Sequence, residues 1–378
     1  MHYQELKKTL KKFKAYFPPP LRRLGVQAWR NMELPLFAFT EHRSIVNAYR
    51  IFWPAAEVAD FDQFKILGPS PDEVLVEVAF TAVSPGTEQA QLLGLPGTIE
   101  YEEESNYYPG YSGSGRVIAI GKNVTHLHLG ERVAGRIPHG TPAVIPGAFL
   151  FPLPENISLE EAAFIELGII GLQGIHKAHI KPGESVLVLG QGIVGQLASR
   201  LARLSGGAPI IAVARSKAKE AEAIAEGAAD RFFTVEELPS FKEAEKGFDV
   251  VIEATGNPNV LLLAARLARA GGRVVSLGTP RGQGDLYLGQ GNCRFGVSLI
   301  GAHISGLPQR DPSNGLWPYR DEGRLFLDLL GQGKLSRLKT ITHRLAPTQA
   351  GELYEALRAR DSSIVGTIFD WTNYNNHS

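Results

Sequence analysis

Three glycines in the segment VLVLGQGIVGQ have the spacing of a turn that binds phosphate. Gly190, Gly192 and Gly195 follow the pattern G-x-G-x-x-G, directly after a predicted strand and at the start of a predicted helix. The first glycine permits a tight turn, the second lets the backbone approach a pyrophosphate, and the third lets the helix pack close to the strand. The free N–H groups at the helix start would then meet the phosphate. This context predicts a nicotinamide dinucleotide site, whose expected residues also include Ile193, Val194, Thr255 and Gly278.

The end of the next predicted strand bears on which dinucleotide binds. A carboxylate about 20 residues after the last glycine would bind the ribose 2′-hydroxyl of NAD, but Ala214 stands at this position. It is followed by Arg215, Ser216 and Lys217, two cations and a hydroxyl that suit a 2′-phosphate. The sequence therefore favours NADP(H). The alternative is that both cations are ordinary surface charges.

A second glycine-rich segment, YPGYSGSG at 108–115, is open to three interpretations. Its glycines could form a phosphate cradle, a plain turn, or the remnant of a site that once held something else. Because the phosphates of a dinucleotide already have a predicted site at 190–195, a turn is favoured here. The side chains between the glycines, Tyr111 and Ser112, are then the ones that could take part in chemistry.

The composition is that of a globular chain with two domains. The chain has 378 residues, of which 44% are hydrophobic and 21% charged, and its formal net charge is zero. Charge balance gives no case for nucleic acid as the main partner, and no apolar run approaches the roughly 20 residues of a membrane span. A single cysteine, Cys293, excludes an internal disulfide and a cysteine cage for a metal. Since no apolar leader is evident, a cytoplasmic location is expected.

The first 34 residues differ from the rest. Lysines alternate with Leu6, Leu10, Phe13 and Phe17, which fall on one face of a helix. We expect a helix that packs on its own domain or on a neighbouring subunit. The alternative is a helix that lies on a membrane surface.

The remaining chain changes its period twice. Short β-branched segments at 43–153, separated by Gly, Pro and Asn, predict a small barrel or a partly open sheet. Ser158 and Glu161 then form a capping box. From about residue 181, strands alternate with helices of 10–15 residues, which predicts a parallel, doubly wound α/β sheet. Past about residue 306, two helical segments and the strand GTIFDW form a mixed tail.

Together these segments resemble the medium-chain dehydrogenase/reductase superfamily, which includes the zinc alcohol, sorbitol and threonine dehydrogenases. The resemblance runs from about residue 45 to 370 and rests on GKNVTHLHLGERV, VLVLGQGIVGQ, VVIEATG and ARAGGRVVSLG. It implies a GroES-like, β-rich catalytic domain interrupted by a Rossmann domain. The expected divisions are a basic helical extension at 1–34, the catalytic domain at 35–165, the NADP-binding domain at 166–305 and a return to the catalytic domain at 306–378.

The residues that hold zinc in this family are replaced here. VSPGTEQAQLLG takes the place of the first ligand motif, so that Ser84 or Pro85 stands where cysteine is expected. YPGYSGSG takes the place of PGHEGxG, so that Tyr111 replaces the histidine and Ser112 the glutamate. Only Glu166 remains, and one carboxylate among hydroxyls is a poor zinc site. The cysteines of the family's structural zinc lobe are also missing. Both metals are predicted to be absent.

If no metal polarises the substrate oxygen, a hydrogen-bond donor or acid must do so. The resemblance implies that Thr87 relays a proton between the substrate oxygen and the nicotinamide ribose. Tyr111, which stands where the histidine ligand is expected, could donate to that oxygen. Glu166 could act as a base or tune Tyr111, and Ser84 and Ser112 complete the expected catalytic set. The alternatives are that Tyr111 only lines the pocket and that Glu166 is a buried structural partner.

These features lead to a functional hypothesis with two alternatives. The favoured function is zinc-independent, NADP(H)-dependent hydride transfer between nicotinamide and a secondary alcohol or ketone, with a polyol, sugar-like or cyclic small-molecule substrate. The string SPGTE resembles the branch that contains bacteriochlorophyllide dehydrogenase. The alternatives are a quinone or enoyl reductase that acts on C=C, and a protein that binds NADPH without catalysis. VSLIGAH at 297–303 resembles the edge strand through which Rossmann domains pair, so a homodimer is expected.

Overall fold

The computed structural model describes most of the chain beyond the basic segment. The described residues are 43–99, 101, 106–238, 246–284, 296–308, 312, 316–335, 341–361 and 363–374. The helix predicted within 1–34, and Cys293, lie outside these ranges. No helix in the described part of the chain is long and apolar enough to cross a membrane.

The first half of the described chain is rich in short strands, as the sequence predicts. These strands are β1 (Ile45–Ala55), β2 (Val58–Leu67), β3 (Glu73–Ala82), β4 (Gly113–Ile120), β5 (Arg132–Gly135), β6 (Gly140–Thr141), β7 (Ala143–Pro146) and β8 (Leu150–Pro152). Helix α1 (Pro85–Leu92) follows β3 directly. Strand β3 is buried along most of its length and pairs with both β4 and β7. Strands β1, β2 and β6 form a separate three-stranded sheet, whereas β3 lies at the centre of a larger one.

The mixed tail returns to this sheet. It consists of α7 (Tyr319–Gly331), β15 (Ile341–Leu345), α8 (Ala350–Arg358) and β16 (Gly366–Asp370). Strand β16 pairs antiparallel with β3, which gives the sheet order β15-β16-β3-β4-β5-β8 with β7 also on β3. Trp371, just after β16, is fully buried in the core of this β-rich part, beside Val76 and Val78 of β3. The two helices and the closing strand predicted for the tail are confirmed.

The middle of the chain forms the doubly wound sheet predicted from the alternating pattern. Its elements are β9 (Val186–Leu189), α4 (Ile193–Leu204), β10 (Ile210–Ala214), α5 (Glu220–Ala225), β11 (Arg231–Thr234), β12 (Phe248–Glu253), α6 (Pro258–Leu267), β13 (Ala268–Ser276) and β14 (Ser298–Gly301). The strand order is β11-β10-β9-β12-β13-β14, and every pair is parallel. The order reverses between β9 and β12, which creates the crevice where such sheets bind ligands.

One predicted boundary is wrong. The sequence pattern predicts a helix through PNVLLLAARLARAGG, but the helix ends at Leu267. Ala268 already pairs with Phe248 at the start of β13. Tertiary strand pairing overrides the helical preference of these alanines and arginines.

A buried helix joins the two sheets and carries one of the expected catalytic residues. Helix α2 (Leu159–Ala162) begins with the predicted capping box, since Ser158 accepts from the Glu161 N–H and Glu161 accepts from the Ser158 N–H. Helix α3 (Ile165–Ala178) follows and packs against α4 and α7. A Cβ atom on Gly168 would lie 2.2 Å from the Phe326 ring, so glycine is required for α7 to approach this closely. This contact fixes the start of α3.

Candidate active site

The glycine turn between β9 and α4 has the geometry expected of a dinucleotide-binding turn. Gly190 has a φ of +96°, which favours glycine. A Cβ on Gly195 would lie 1.9 Å from the Gly190 carbonyl oxygen, so the helix packs tightly on the strand end. Gly192 is the N-cap of α4, and no atom lies within 4 Å of the position of its missing Cβ. The turn is therefore tightly packed at Gly195, whereas the space beside Gly192 is open for a pyrophosphate to approach.

The neighbouring strand end completes this crevice. After β12, Glu253 Oε1 accepts hydrogen bonds from the Thr255 N–H at 2.6 Å and the Gly256 N–H at 3.0 Å, and also from the Thr255 hydroxyl. These bonds hold Thr255 against the glycine turn. A Cβ on Gly278 would lie 2.3 Å from the Gly256 nitrogen. Both Thr255 and Gly278 therefore line the crevice at the positions expected from the sequence.

A cavity of about 400 Å³ joins this crevice to the β-rich part of the chain. It brings together ten of the residues singled out from the sequence, which are Ser84, Thr87, Tyr111, Glu166, Gly192, Ile193, Val194, Gly195, Thr255 and Gly278. Gly190, Ser112, Arg215, Ser216 and Lys217 do not line it. The proposed catalytic side chains and the dinucleotide turn thus face one space.

Three hydroxyl groups meet in this cavity, and we call Ser84, Thr87 and Tyr111 the hydroxyl cluster. The Tyr111 hydroxyl donates to Ser84 Oγ at 2.8 Å. Ser84 is the N-cap of α1 but makes no side-chain capping bond, so its hydroxyl is available to the phenol. Burial raises the pKa of Tyr111 to about 12, although hydrogen bonds with Ser84 and Thr87 oppose the shift. The phenol is therefore protonated at neutral pH and is a potential proton donor.

Ser112 has a different place from the one expected. It is buried, and its Oγ donates to the Ala163 carbonyl and accepts from the Glu166 N–H. The Ser112 hydroxyl thus satisfies backbone groups at the junction of α2 and α3, where the first N–H groups of a helix have no intrahelical partner. It supports the position of Glu166 and does not face the cavity.

Glu166 lies at the start of α3 with its carboxylate fully engaged. Tyr319 donates its hydroxyl to Oε1, and Arg136 donates to Oε2 at 3.4 Å. Burial raises the pKa of Glu166, while the Arg136 charge and the Tyr319 hydrogen bond act in the opposite direction. Burial and the Glu166 charge also raise the pKa of Tyr319. Arg136 and Tyr319 are functional candidates that the sequence analysis missed, because nothing in their local patterns marks them.

The residues present do not fit a zinc ion. Zinc binds sulfur, imidazole or carboxylate ligands, whereas the expected ligand positions carry the Tyr111 phenol and either the Ser84 hydroxyl or Pro85. The remaining acid, Glu166, already faces the guanidinium of Arg136. Across the described ranges, no group of three or more His, Cys, Asp or Glu side chains is arranged to hold a metal.

A lysine that was not expected from the sequence, Lys219, contacts the dinucleotide turn. Arg215 and Ser216 are exposed just after β10. The Lys217 ammonium is drawn toward Glu237 at 3.0 Å and Glu220 at 3.7 Å. Lys219 instead donates to the Gln191 carbonyl within the glycine turn at 3.2 Å. Lys219, rather than Lys217, is therefore the lysine that contacts the cofactor turn.

Comparison with known proteins agrees with this geometry. The model of the alcohol dehydrogenase GroES-like domain matches residues 70–145, and that of the zinc-binding dehydrogenase matches residues 194–314. A provisionally named D-xylulose reductase of Agrobacterium fabrum is 34% identical over 209 residues, which are 45% of this chain and 59% of that protein. A second, from Rhizobium meliloti, is 30% identical over 249 residues, or 56% of this chain and 70% of that protein.

A solved structure shows the same fold. A provisionally assigned zinc-binding dehydrogenase from Sinorhizobium meliloti 1021, bound to NADP, superposes with a TM-score of 0.70 at 20% identity, over 86% of this chain and 99% of that chain. The two family models cover both the β-rich part and the parallel sheet. This chain belongs to the zinc-type medium-chain dehydrogenase/reductase superfamily, a family of nicotinamide-dependent oxidoreductases.

Proposed function

We propose that this chain is a zinc-independent, NADP(H)-dependent oxidoreductase that interconverts a secondary alcohol and a ketone. The observation that carries the proposal is the single cavity in which the hydroxyl cluster faces the dinucleotide turn at Gly192–Gly195. The similarity to D-xylulose reductases favours a polyol or sugar-like substrate within this class.

The cofactor assignment rests on the fit of the glycine turn. The N-terminus of α4 would hold the pyrophosphate, since Gly192 leaves that approach open. Arg215, Ser216 and Lys219 follow β10, and this strand ends on Ala214 instead of the carboxylate that would bind the ribose 2′-hydroxyl of NAD. When bound, the nicotinamide accepts or supplies the hydride at the substrate carbon.

The proton chemistry is assigned to the hydroxyl cluster. In ketone reduction, Tyr111 supplies a proton to the substrate oxygen, because its pKa of about 12 keeps the phenol protonated. Ser84, 2.8 Å away, and Thr87 then return a proton to the phenol. The negative charge of Glu166 contributes to the raised pKa of Tyr111, so Glu166 tunes the donor, while its own oxygens bind Arg136 and Tyr319.

A substrate panel tests this function. Purified protein would be assayed with NADPH and D-xylulose, with NADP⁺ and xylitol or sorbitol, and with NADPH and 2-cyclohexenone. We expect turnover of the ketose and the polyols. Exclusive reduction of the enone would favour C=C chemistry, and NADPH binding without any turnover would favour a non-catalytic role.

A further inference from the structure

Arg136 places a positive charge in the cavity beside Glu166, the acidic residue that remains at the positions where the family binds zinc. We propose that Arg136 binds the substrate oxygen as negative charge develops on it, and so takes over the electrostatic role of the missing metal. This inference rests on the proposed function. It goes beyond it by assigning a catalytic residue outside every motif that the sequence analysis identified.

The Arg136 guanidinium lies in the cavity where the substrate is proposed to bind. Arg136 lies just after β5 and lines the same cavity as Ser84, Thr87 and Tyr111. One of its nitrogens is 3.4 Å from Oε2 of Glu166. Glu166 stands where the family's third zinc ligand is expected, so the cation faces the carboxylate that would otherwise face a metal.

The support around the guanidinium is the second argument. Its carbon lies 4.5 Å from the centroid of the Phe149 ring and 5.1 Å from that of Tyr319. Tyr319 also donates to Glu166, so one aromatic residue fixes both members of the ion pair. Arg136 and Glu166 are thus held in a defined geometry, and the cost of ordering a long side chain is not incurred during the reaction.

The unused donors of Arg136 are the third argument. Guanidinium has five N–H donors, and one hydrogen bond to Glu166 is the side-chain bond that Arg136 makes within the described residues. The Glu166 side chain is 1% exposed and that of Arg136 is 37% exposed. Both residues line the cavity, and the guanidinium is the more exposed member of the pair and has further N–H donors beyond its bond to Glu166.

The chemical step balances without a metal. In ketone reduction, bound NADPH would supply the hydride: its nicotinamide C4–H bond breaks, a C–H bond forms at the carbonyl carbon, and NADP⁺ remains. The π electron pair of C=O moves to oxygen. Arg136 stabilises the resulting negative charge, and Tyr111 transfers a proton to that oxygen. Arg136 only donates hydrogen bonds and transfers no proton, and the hydroxyl cluster regains its proton from solvent.

A merely structural Arg136 would serve only to balance the charge of Glu166. The test therefore compares Arg136→Met in two backgrounds, with Glu166 intact and with Glu166→Gln. In the Glu166→Gln background position 166 carries no charge that Arg136 must balance, so this pair of variants also guards against misfolding of the single Arg136→Met protein. Arg116→Met is the matched control, because Arg116 is exposed on β4 and, within the part of the chain that the structure describes, its side chain hydrogen-bonds the Gly130 carbonyl.

For each variant, kcat and KM for the ketone and the dissociation constant of NADPH by fluorescence would be measured. We expect Arg136→Met to lower kcat by about 100-fold in both backgrounds, the range for loss of one donor at a developing oxyanion. NADPH affinity should change by less than about twofold, and Arg116→Met should resemble wild type.

The outcomes separate this inference from the proposed function. If Arg136→Met/Glu166→Gln reduces the ketone as fast as Glu166→Gln, Arg136 is only a counterion and the inference is wrong, while the proposed function stands. If wild-type protein binds NADPH but reduces no ketone, both are wrong.

Discussion

The Tyr111 hydroxyl donates to Ser84 Oγ over 2.8 Å, although the two residues are 27 positions apart in the chain. Ser84 ends the turn after the central strand β3, and Tyr111 precedes β4, the antiparallel neighbour of β3. The pairing of these two strands therefore builds the hydroxyl cluster. In the family, these segments carry two of the zinc ligand motifs, so the bond joins two segments that bring ligands to a metal in zinc-dependent members.

The Tyr111→Phe substitution tests the proton donor. We expect kcat for ketone reduction to fall by about 100-fold, within the usual range for loss of a general acid, while NADPH affinity stays unchanged. Tyr108→Phe is the matched control, because Tyr108 is 41% exposed and stacks against Arg50 instead of lining the cavity. Equal loss of activity in both variants would argue against a specific role for Tyr111.

Alkaline pH tests the environment of the same phenol. Burial raises the pKa of Tyr111 from 10.0 to about 12. A group whose pKa is higher in the folded protein stabilises it below the unfolded pKa, and this stabilisation is lost as pH rises from about 10 to about 12. Wild type should therefore lose up to about 2–3 kcal/mol more unfolding free energy than Tyr111→Phe over this interval. Urea unfolding at several pH values measures the difference, and parallel curves would contradict the assignment.

Cofactor selectivity distinguishes the cations near the end of β10. NADPH should bind at least about tenfold more tightly than NADH, and Arg215→Ala should reduce this preference by about 1–3 kcal/mol. Lys219→Ala should also reduce it, because Lys219 contacts the glycine turn. Lys217→Ala is the control, since its ammonium pairs with Glu237. Fluorescence titration would show equal affinities for both cofactors if the NADP(H) assignment is wrong.

A substitution on the edge strand β14 tests the expected homodimer. One side of β14 pairs with β13. If its other side pairs with β14 of a second copy across a two-fold axis, one sheet runs through both chains. Leu299 on this strand is 44% exposed. Sedimentation should show two chains for wild type and one for Leu299→Lys. Leu204→Lys changes an equally exposed leucine on α4 and should leave the dimer intact. A monomeric wild type would rule out this assembly.

The features predicted from sequence are those with a local pattern. The glycine turn follows from the spacing of three residues, and the doubly wound sheet follows from the alternation of strands and helices. The hydroxyl cluster was predicted because Ser84, Thr87 and Tyr111 occupy two recognisable motifs. Both motifs flank strands that pair in the fold.

The features missed from sequence depend on single contacts between distant segments. Tyr319 reaches Glu166 across 153 positions and Arg136 reaches it across 30, and no periodicity encodes either contact. Lys217 directly follows Arg215 and Ser216 in the sequence, whereas the contact between Lys219 and the glycine turn is visible only in the fold. In the fold, the Lys217 ammonium forms an ion pair with Glu237 instead of a contact with the glycine turn.

We propose above all that the protein reduces a ketone with NADPH and without a bound metal. The most direct measurement is the rate of NADPH-dependent reduction of D-xylulose by protein treated with a chelator, with bound zinc measured in the same sample. We predict an unchanged rate with less than about one zinc per ten chains, because Tyr111 and either Ser84 or Pro85 occupy the expected ligand positions and Glu166 faces Arg136. Loss of activity on chelation, restored by stoichiometric zinc, would contradict the account.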